Sequence, residues 1–345
     1  MAYTVIDNST EFFDTNIWTG NGSTQNITSL NFQPDFVWGK VYSEVGSHRL
    51  IDSTRGNTKA LFSNGTDNEA DETNFSGFLS NGYALANESL NESDRTYIAW
   101  NWKANGGTAT ATISESGNNP AAVVQANQTT GFSIITYTGT GANGTIAHGL
   151  GAIPKMIIIK RRTGGAVNWV VYFASRGNTH YTPLNLKGAM VDDATIFNDT
   201  SPTSSVFTIS SNALVNHDGS TYVAYCYADV QGFSKQGKYV GNGNADGEFV
   251  YTGFRPQFML MRPDADKDWY LVAGKHLNGF NSQNKSFYAN ANATTVNTDN
   301  YVDFLSNGFK LRTTDNSWNG SSTYHYIAFA DQPFVSSSGI PAVAK

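Results

Sequence analysis

Residues 149–160 read Gly149-Leu150-Gly151-Ala152-Ile153-Pro154-Lys155-Met156-Ile157-Ile158-Ile159-Lys160. A glycine-rich turn leads into a proline, then an unbroken apolar run, then a basic residue. Two other stretches have the same order: Phe32-Gln33-Pro34-Asp35-Phe36-Val37-Trp38-Gly39-Lys40 and Gly253-Phe254-Arg255-Pro256-Gln257-Phe258-Met259-Leu260-Met261-Arg262. The basic residue stands six positions after the proline in each copy, and the prolines lie 120 and 102 residues apart. Solenoid repeats recur every 20–50 residues or so, so this longer period implies a repeated domain-sized unit. Proline cannot donate to a ladder, which places it at a strand start. Met156–Ile159 does not alternate, so this strand is expected to be buried on both faces.

Three further landmarks recur in the same order. An aromatic precedes a Gly-x-Gly turn at Trp18-Thr19-Gly20-Asn21-Gly22, Tyr137-Thr138-Gly139-Thr140-Gly141 and Tyr239-Val240-Gly241-Asn242-Gly243. A phenylalanine strand ends in a Ser-Asn turn at Phe78, Phe207 and Phe304. A closing aromatic strand follows at Tyr97-Ile98-Ala99-Trp100, Tyr222-Val223-Ala224-Tyr225 and Tyr326-Ile327-Ala328-Phe329. In that strand, Tyr97, Ala99 and Asn101 share one face, and Ile98, Trp100 and Trp102 share the other.

These runs are rich in aromatic and β-branched residues and are bounded by Gly, Asn, Asp and Ser, which reads as β. Asn-Gly pairs such as Asn81-Gly82 and Asn307-Gly308 are hairpin signals, because both positions tolerate positive φ. No window has capped helical periodicity, although Asp192–Phe197 could form one turn. The expected fold is all-β: three related β-sandwich (jelly-roll or lectin-like) repeat units. Their bounds are 1–104, 131–231 and 232–335, with a linker at 105–130 holding at most one strand and an extended tail at 336–345.

Charged residues make up 14% of the 345, against a usual ~25%, and aromatics make up 13%. The surface is therefore largely Asn, Ser, Thr and Gly over a packed interior. With a net charge of −6 and no basic cluster longer than Lys160-Arg161-Arg162, nucleic-acid binding is not expected. A single cysteine, Cys226, permits no intrachain disulfide, which fits folding before export or in a reducing cytoplasm. The first residues lack a basic and an apolar signal region, and no apolar run approaches the ~20 residues of a membrane span.

Chemistry-bearing clusters are sparse. Asp192/Asp193 and Asp264/Asp266/Asp268 are the acidic candidates for a glycosidase pair, but they match no catalytic pattern. The six histidines show no metal spacing, and His148 reads as a turn residue. There is no Gly-x-Ser-x-Gly, and Cys226 reads as a small buried residue on a core strand. No catalytic residue, metal or cofactor is assigned.

Aromatics beside amides are stronger candidates for ligand contact. Trp318 lies in the polar loop with Asp315 and Asn316, where it could stack on a sugar ring. Trp169 and Trp269 occupy matching places after the proline strand, with His48 there in unit one. They are either glycan platforms or packing between units.

The set Trp/Tyr-Thr-Gly-x-Gly, Gly-Leu-Gly-x-x-Pro-Lys-x-Ile-Ile-Ile-Lys-Arg, Phe-x-Ser-Asn-Gly and Tyr-Ile-Ala-Trp-Asn-Trp-Lys resembles an uncharacterised repeat family of marine bacteriophage virion proteins, often labelled tail fibre-like or concanavalin A-like. Asp52-Ser53-Thr54-Arg55-Gly56 and Trp100-Asn101-Trp102-Lys103 match it most closely. Unit three departs most, with Tyr251-Thr252-Gly253 in place of Gly-Leu-Gly. The resemblance covers nearly the whole chain and carries over no catalytic residues. It implies a non-enzymatic virion surface protein, made in the host cytoplasm. The partners expected are other virion proteins, a host surface glycan and, as a homo-oligomer, further copies of the chain, trimers being usual for fibres. Two alternatives remain open: a capsid decoration or head fibre protein without a ligand, and a polysaccharide depolymerase.

Overall fold

The strand Met156–Arg161 is buried along its whole length, and the two faces meet different neighbours. Ile157 and Ile159 pack into the core of their own unit, whereas Met156 and Ile158 point into a cluster shared by all three units. The other two proline strands split in the same way. Val37 faces inward to unit one and Trp38 to the shared cluster; Met259 and Met261 face unit three, Phe258 and Leu260 the shared cluster. The double burial expected from the unbroken apolar run is thus explained by a third layer, the common centre.

The structure is a computed structural model that describes residues 3–277 and 281–342. It is all-β, with antiparallel sheets throughout and, among the described residues, only single-turn helices, including the expected turn, which spans Ala194–Phe197 and is capped by the Asp193 side chain. In unit one the main sheet runs Phe13–Thr19, Thr96–Trp102, Phe36–Val41, Arg49–Asp52. A smaller sheet of Gln25–Ile27, Gly82–Leu85 and Phe75–Leu79 completes the sandwich. Unit two has the same middle, Phe132–Thr138, Thr221–Tyr227, Met156–Arg161, Val170–Phe173. In unit three, Gln283–Tyr288 and Val296–Leu305 link the two layers into one eight-stranded sheet that nearly closes. Among the described residues no sheet mixes strands of different units, so these are three sandwiches joined through side chains and loops.

The shared centre is dominated by rings. Phe36 stacks on Tyr225 at 4.3 Å, Phe173 on Trp269 at 5.8 Å and Phe13 on Phe329 at 4.7 Å, so each pair of units meets through stacked aromatics. Burying a side chain of this size contributes about 1.5–3 kcal/mol. A sandwich on its own would leave this face in water.

Four sequence expectations are corrected. Residues 105–130 are not a linker, since Ala111–Ile113 and Ala122–Asn127 add two strands to the edge of unit two's main sheet. The closing strand of unit three is aligned by Tyr324, not Tyr326. Tyr324 stacks on Tyr239 at 4.8 Å, as Tyr97 does on Trp18 at 5.4 Å and Tyr222 on Tyr137 at 4.9 Å. A slip of two preserves the face of every side chain, so the pattern alone could not reveal it. Phe207 matches Tyr83 and Phe309, the core residues of the outer layer, rather than Phe78 and Phe304. The tail does not extend: Ser336 donates to Ile340 O and Ala342 to Phe334 O, folding it back, with residues 343–345 outside the described residues.

The first glycine of each Gly-x-Gly turn is required by close approach. A Cβ on Gly20, Gly139 or Gly241 would lie 2.1–2.2 Å from the carbonyl oxygen of Glu92, His217 or Gly320. A buried asparagine then locks each turn. Asn91, Asn216 and Asn319 accept from the amide of the residue between the glycines, at 3.2, 2.8 and 3.0 Å.

Candidate functional site

The matching positions His48, Trp169 and Trp269 form one cyclic set. Each backbone amide donates to an asparagine of its own unit, Asn64 at 3.0 Å, Asn185 at 3.0 Å and Asn290 at 2.8 Å. Each ring then reaches the carbonyl two residues before the corresponding asparagine in a neighbouring unit. Trp169 Nε1 donates to Phe62 O at 3.0 Å, and Trp269 Nε1 to Pro183 O at 2.8 Å. His48 Nε2 closes the circle on Tyr288 O at 3.0 Å. Trp38 Nε1 donates to His48 Nδ1 at 2.9 Å, so the Nε2 position holds the proton. Burial holds the His48 pKa down at about 3, which keeps the ring neutral.

The structure therefore decides between the two sequence readings of Trp169 and Trp269. Both are fully buried between units and present no ring face to a sugar. The basic residues of the proline strands lie in the same layer. Lys160 Nζ donates to Thr66 O of unit one at 2.8 Å and to Val167 O at 2.6 Å. Arg262 bonds Gly188 O of unit two and lies over the Trp269 ring. Desolvation lowers Lys40 and Lys160 to about 8 and Arg262 to about 10.

Trp318 is also fully buried, which corrects the expectation of an exposed platform. Its ring stacks on Tyr301 at 4.5 Å and its carbonyl accepts from Tyr239 at 2.8 Å, as Val215 O accepts from Tyr137 and Leu90 O from Trp18. Asp315 and Asn316 are exposed, but their polar groups build the turn. Asp315 Oδ1 accepts from the Ser317 amide, and Asn316 O accepts from the Tyr324 hydroxyl. The structure does not bring Trp318, Trp169 and Trp269 together at one surface.

The boundary between units one and two and that between units two and three differ in their polar chemistry. Between units one and two, Arg55 is buried against Asp52, Glu69 and Tyr225, and Arg162 grips Glu69 at 2.8 and 2.9 Å. Burial opposes the charge of Arg55, yet Asp52, Tyr225 and Glu69 outweigh it and raise its pKa. Desolvation likewise works against the Glu69 carboxylate, and the two arginines prevail, holding its pKa low.

Between units two and three, three residues distant in sequence form a Ser–His–Asp line. Ser175 Oγ lies 2.7 Å from His325 Nδ1, and His325 Nε2 lies 3.1 Å from Asp264 Oδ1. This order of groups occurs in acyl transfer. Here the amides of Arg176 and Gly177 both donate to Phe173 O at 3.0 Å, so they are not aimed at an oxyanion beside Ser175. Burial holds the His325 pKa at about 4, far from the neutral range that suits a general base. The line is a polar tie between units. Sequence reasoning missed it because no local motif links positions 175, 264 and 325.

The other candidates have local roles. Asp268 pairs with Lys187 at 3.1 Å and accepts from Asn290, which removes it from a catalytic pair with Asp264 or Asp266. Asp193 caps a helix turn, and Asp192 lies 3.9 Å from His180. His148 Nδ1 accepts from the Leu150 amide, a turn role, and Cys226 is buried, with its thiol pKa pushed up by desolvation. Among the described residues, no group of three or more His, Cys, Asp or Glu is placed to hold a metal, and no helix is long and apolar enough to cross a membrane.

Fold and site together define an all-β protein of three β-sandwich units closed into a ring through a common aromatic centre. The chain belongs to the family described as a domain of unknown function (DUF7483), which matches residues 8–333 and so takes in all three units. No curated protein and no solved structure matches the chain significantly.

Proposed function

We propose that this chain is a structural protein exposed on the surface of a bacteriophage particle, as a short tail fibre or tail-associated adhesion protein whose outer loops contact host glycans. The observation that carries the reading is the ring. The residues best suited to chemistry are committed to joining units, which gives a rigid scaffold that presents variable loops. Phage tails and capsids are built on cyclic symmetry, and a chain whose three units are related cyclically suits attachment on such an axis. The same ring fills internally the apolar centre that three separate chains would share, so one chain takes the place of a trimer. The repeat landmarks that resemble phage virion proteins support the same assignment, without enzymatic activity.

Immunogold electron microscopy of purified phage particles, with antiserum against the full chain, tests this. Label on the tail supports adhesion. Label tiled over the capsid replaces adhesion with decoration, and particles that take no label overturn the reading.

A further inference from the structure

One edge strand recurs in all three units, and the third copy differs. Gln25–Ile27 pairs with Gly82–Leu85, Gly144–Ala147 with Val206–Ile209 and Phe249–Tyr251 with Gly308–Leu311. The central apolar residue of each copy, Ile27, Ile146 or Val250, packs inward opposite Tyr83, Phe207 or Phe309. The residues flanking it point outward. Unit one has Asn26 and Thr28 there, and unit two has Thr145 and Ala147. Unit three has Phe249 and Tyr251, 44% and 52% exposed. The fold is satisfied without aromatic rings at these positions, as its other two copies show.

The surroundings hold this pair ready for a flat ligand. Tyr3 OH donates to Gly253 O at 2.8 Å, so in its 3.0 Å contact with Tyr251 OH the Tyr251 hydroxyl is the donor, which fixes that ring. Gly308 lies opposite Tyr251, and a Cβ there would meet Val250 O at 2.1 Å, so no side chain can cover the neighbouring face. Lys310, opposite Phe249, pairs with Asp246 at 2.9 Å, and Arg312 pairs with Asp303 at 2.6 Å. Two cations and two carboxylates balance, so the patch favours neither an acidic nor a basic ligand.

We infer that the outward face of Phe249–Tyr251 binds the ring of a neutral saccharide, with the two aromatics as platform and the Asp246–Lys310 pair as hydrogen-bonding rim. Aromatic rings offer a large apolar face with a defined geometry, and the ion pair beside them supplies hydrogen-bond donors and acceptors. The inference rests on the adhesion reading and gives it a location.

The test is saturation-transfer NMR on the full chain with laminarihexaose and mannohexaose as probes. The expected result is transfer to sugar ring protons of at least one probe, reduced roughly fivefold in F249S/Y251S, as loss of aromatic contacts would produce. The single variant Y251S serves if the double variant does not fold. The variant N26S/T28S, on the equivalent strand of unit one, should leave transfer intact. No transfer to either hexasaccharide, undiminished transfer in F249S/Y251S, or equal loss in N26S/T28S overturns the inference. Particle localisation would stand in each of those cases, so the two failures are distinguishable.

Discussion

Trp169 Nε1 donates to the carbonyl of Phe62, 3.0 Å away and 107 residues earlier in the chain. The bond crosses from unit two into unit one and recurs from unit three into unit two and from unit one into unit three. A tryptophan that looked available to a ligand is thereby a joint of the scaffold. Replacing Trp269 by alanine empties a fully buried site and orphans Pro183 O. The expected loss is about 3–5 kcal/mol, read by chemical denaturation.

The glycine turns make a second test. In G241A the added methyl would lie 2.1 Å from Gly320 O, a clash with backbone that cannot be relieved by a rotamer change. We expect destabilisation of about 3 kcal/mol, as for overpacking. G219A is the control, because Gly219 has φ +68° with open space around its Cβ position. It should cost only the left-handed backbone penalty of about 1–2 kcal/mol.

Acid sensitivity follows from the buried histidines. Burial lowers His48 to about 3 and His325 to about 4, from an ordinary 6.5. Between those values the unfolded chain binds protons that the folded chain refuses, so stability falls as pH drops from 6.5 toward 4. H325V, which copies Val223 of unit two, should reduce the loss in melting temperature on acidification. An unchanged acid profile would show that His325 does not contribute.

The buried lysines act in the alkaline range. Lys40 and Lys160 are lowered by desolvation to about 8 from 10.5. Above pH 8 the folded state releases protons that the unfolded chain keeps until 10.5, so their contribution makes stability rise with pH through this window. Near pH 10 the tyrosines oppose it, since burial raises Tyr137 and others and the unfolded chain ionises first. Denaturation midpoints at pH 7.5 and 9.5 should differ less in K160M than in the parent.

Much of the fold was legible because the repeats state it three times. Pro34 and Pro154 stand just before their strands, whereas Pro256 falls inside Phe254–Pro263 at a bulge, where a missing N–H is tolerated; the matching of His48 with Trp169 and Trp269 survives intact in the ring. Other features were hidden for physical reasons. The two-residue slip between Tyr324 and Tyr326 leaves the side-chain faces unchanged, so periodicity cannot report it. Trp318 sits among polar residues because its backbone forms a turn, while its side chain folds under that turn onto Tyr301. Ala111–Ile113 is a short, largely exposed edge strand, and Ala122–Asn127 beside it is a short run of small and polar residues that lacks the aromatic landmarks of the repeats. Ser175, Asp264 and His325 meet only through packing of two units, which no single stretch encodes. Phe249 and Tyr251 stood in plain view, but their exposure became informative only when set beside Asn26 and Thr28.

The central claim is that the three sandwiches are one structure, held by a centre none of them can fill alone. Equilibrium denaturation of the full chain, followed by tryptophan emission and by far-ultraviolet circular dichroism, tests it most directly. Trp38, Trp100, Trp102, Trp169 and Trp269 all lie in the shared cluster, so emission reports the centre while dichroism reports the sheets. The account predicts one transition with coincident midpoints by both probes. A shift in emission that is complete while most of the sheet signal persists would show units that stand independently, and would contradict it.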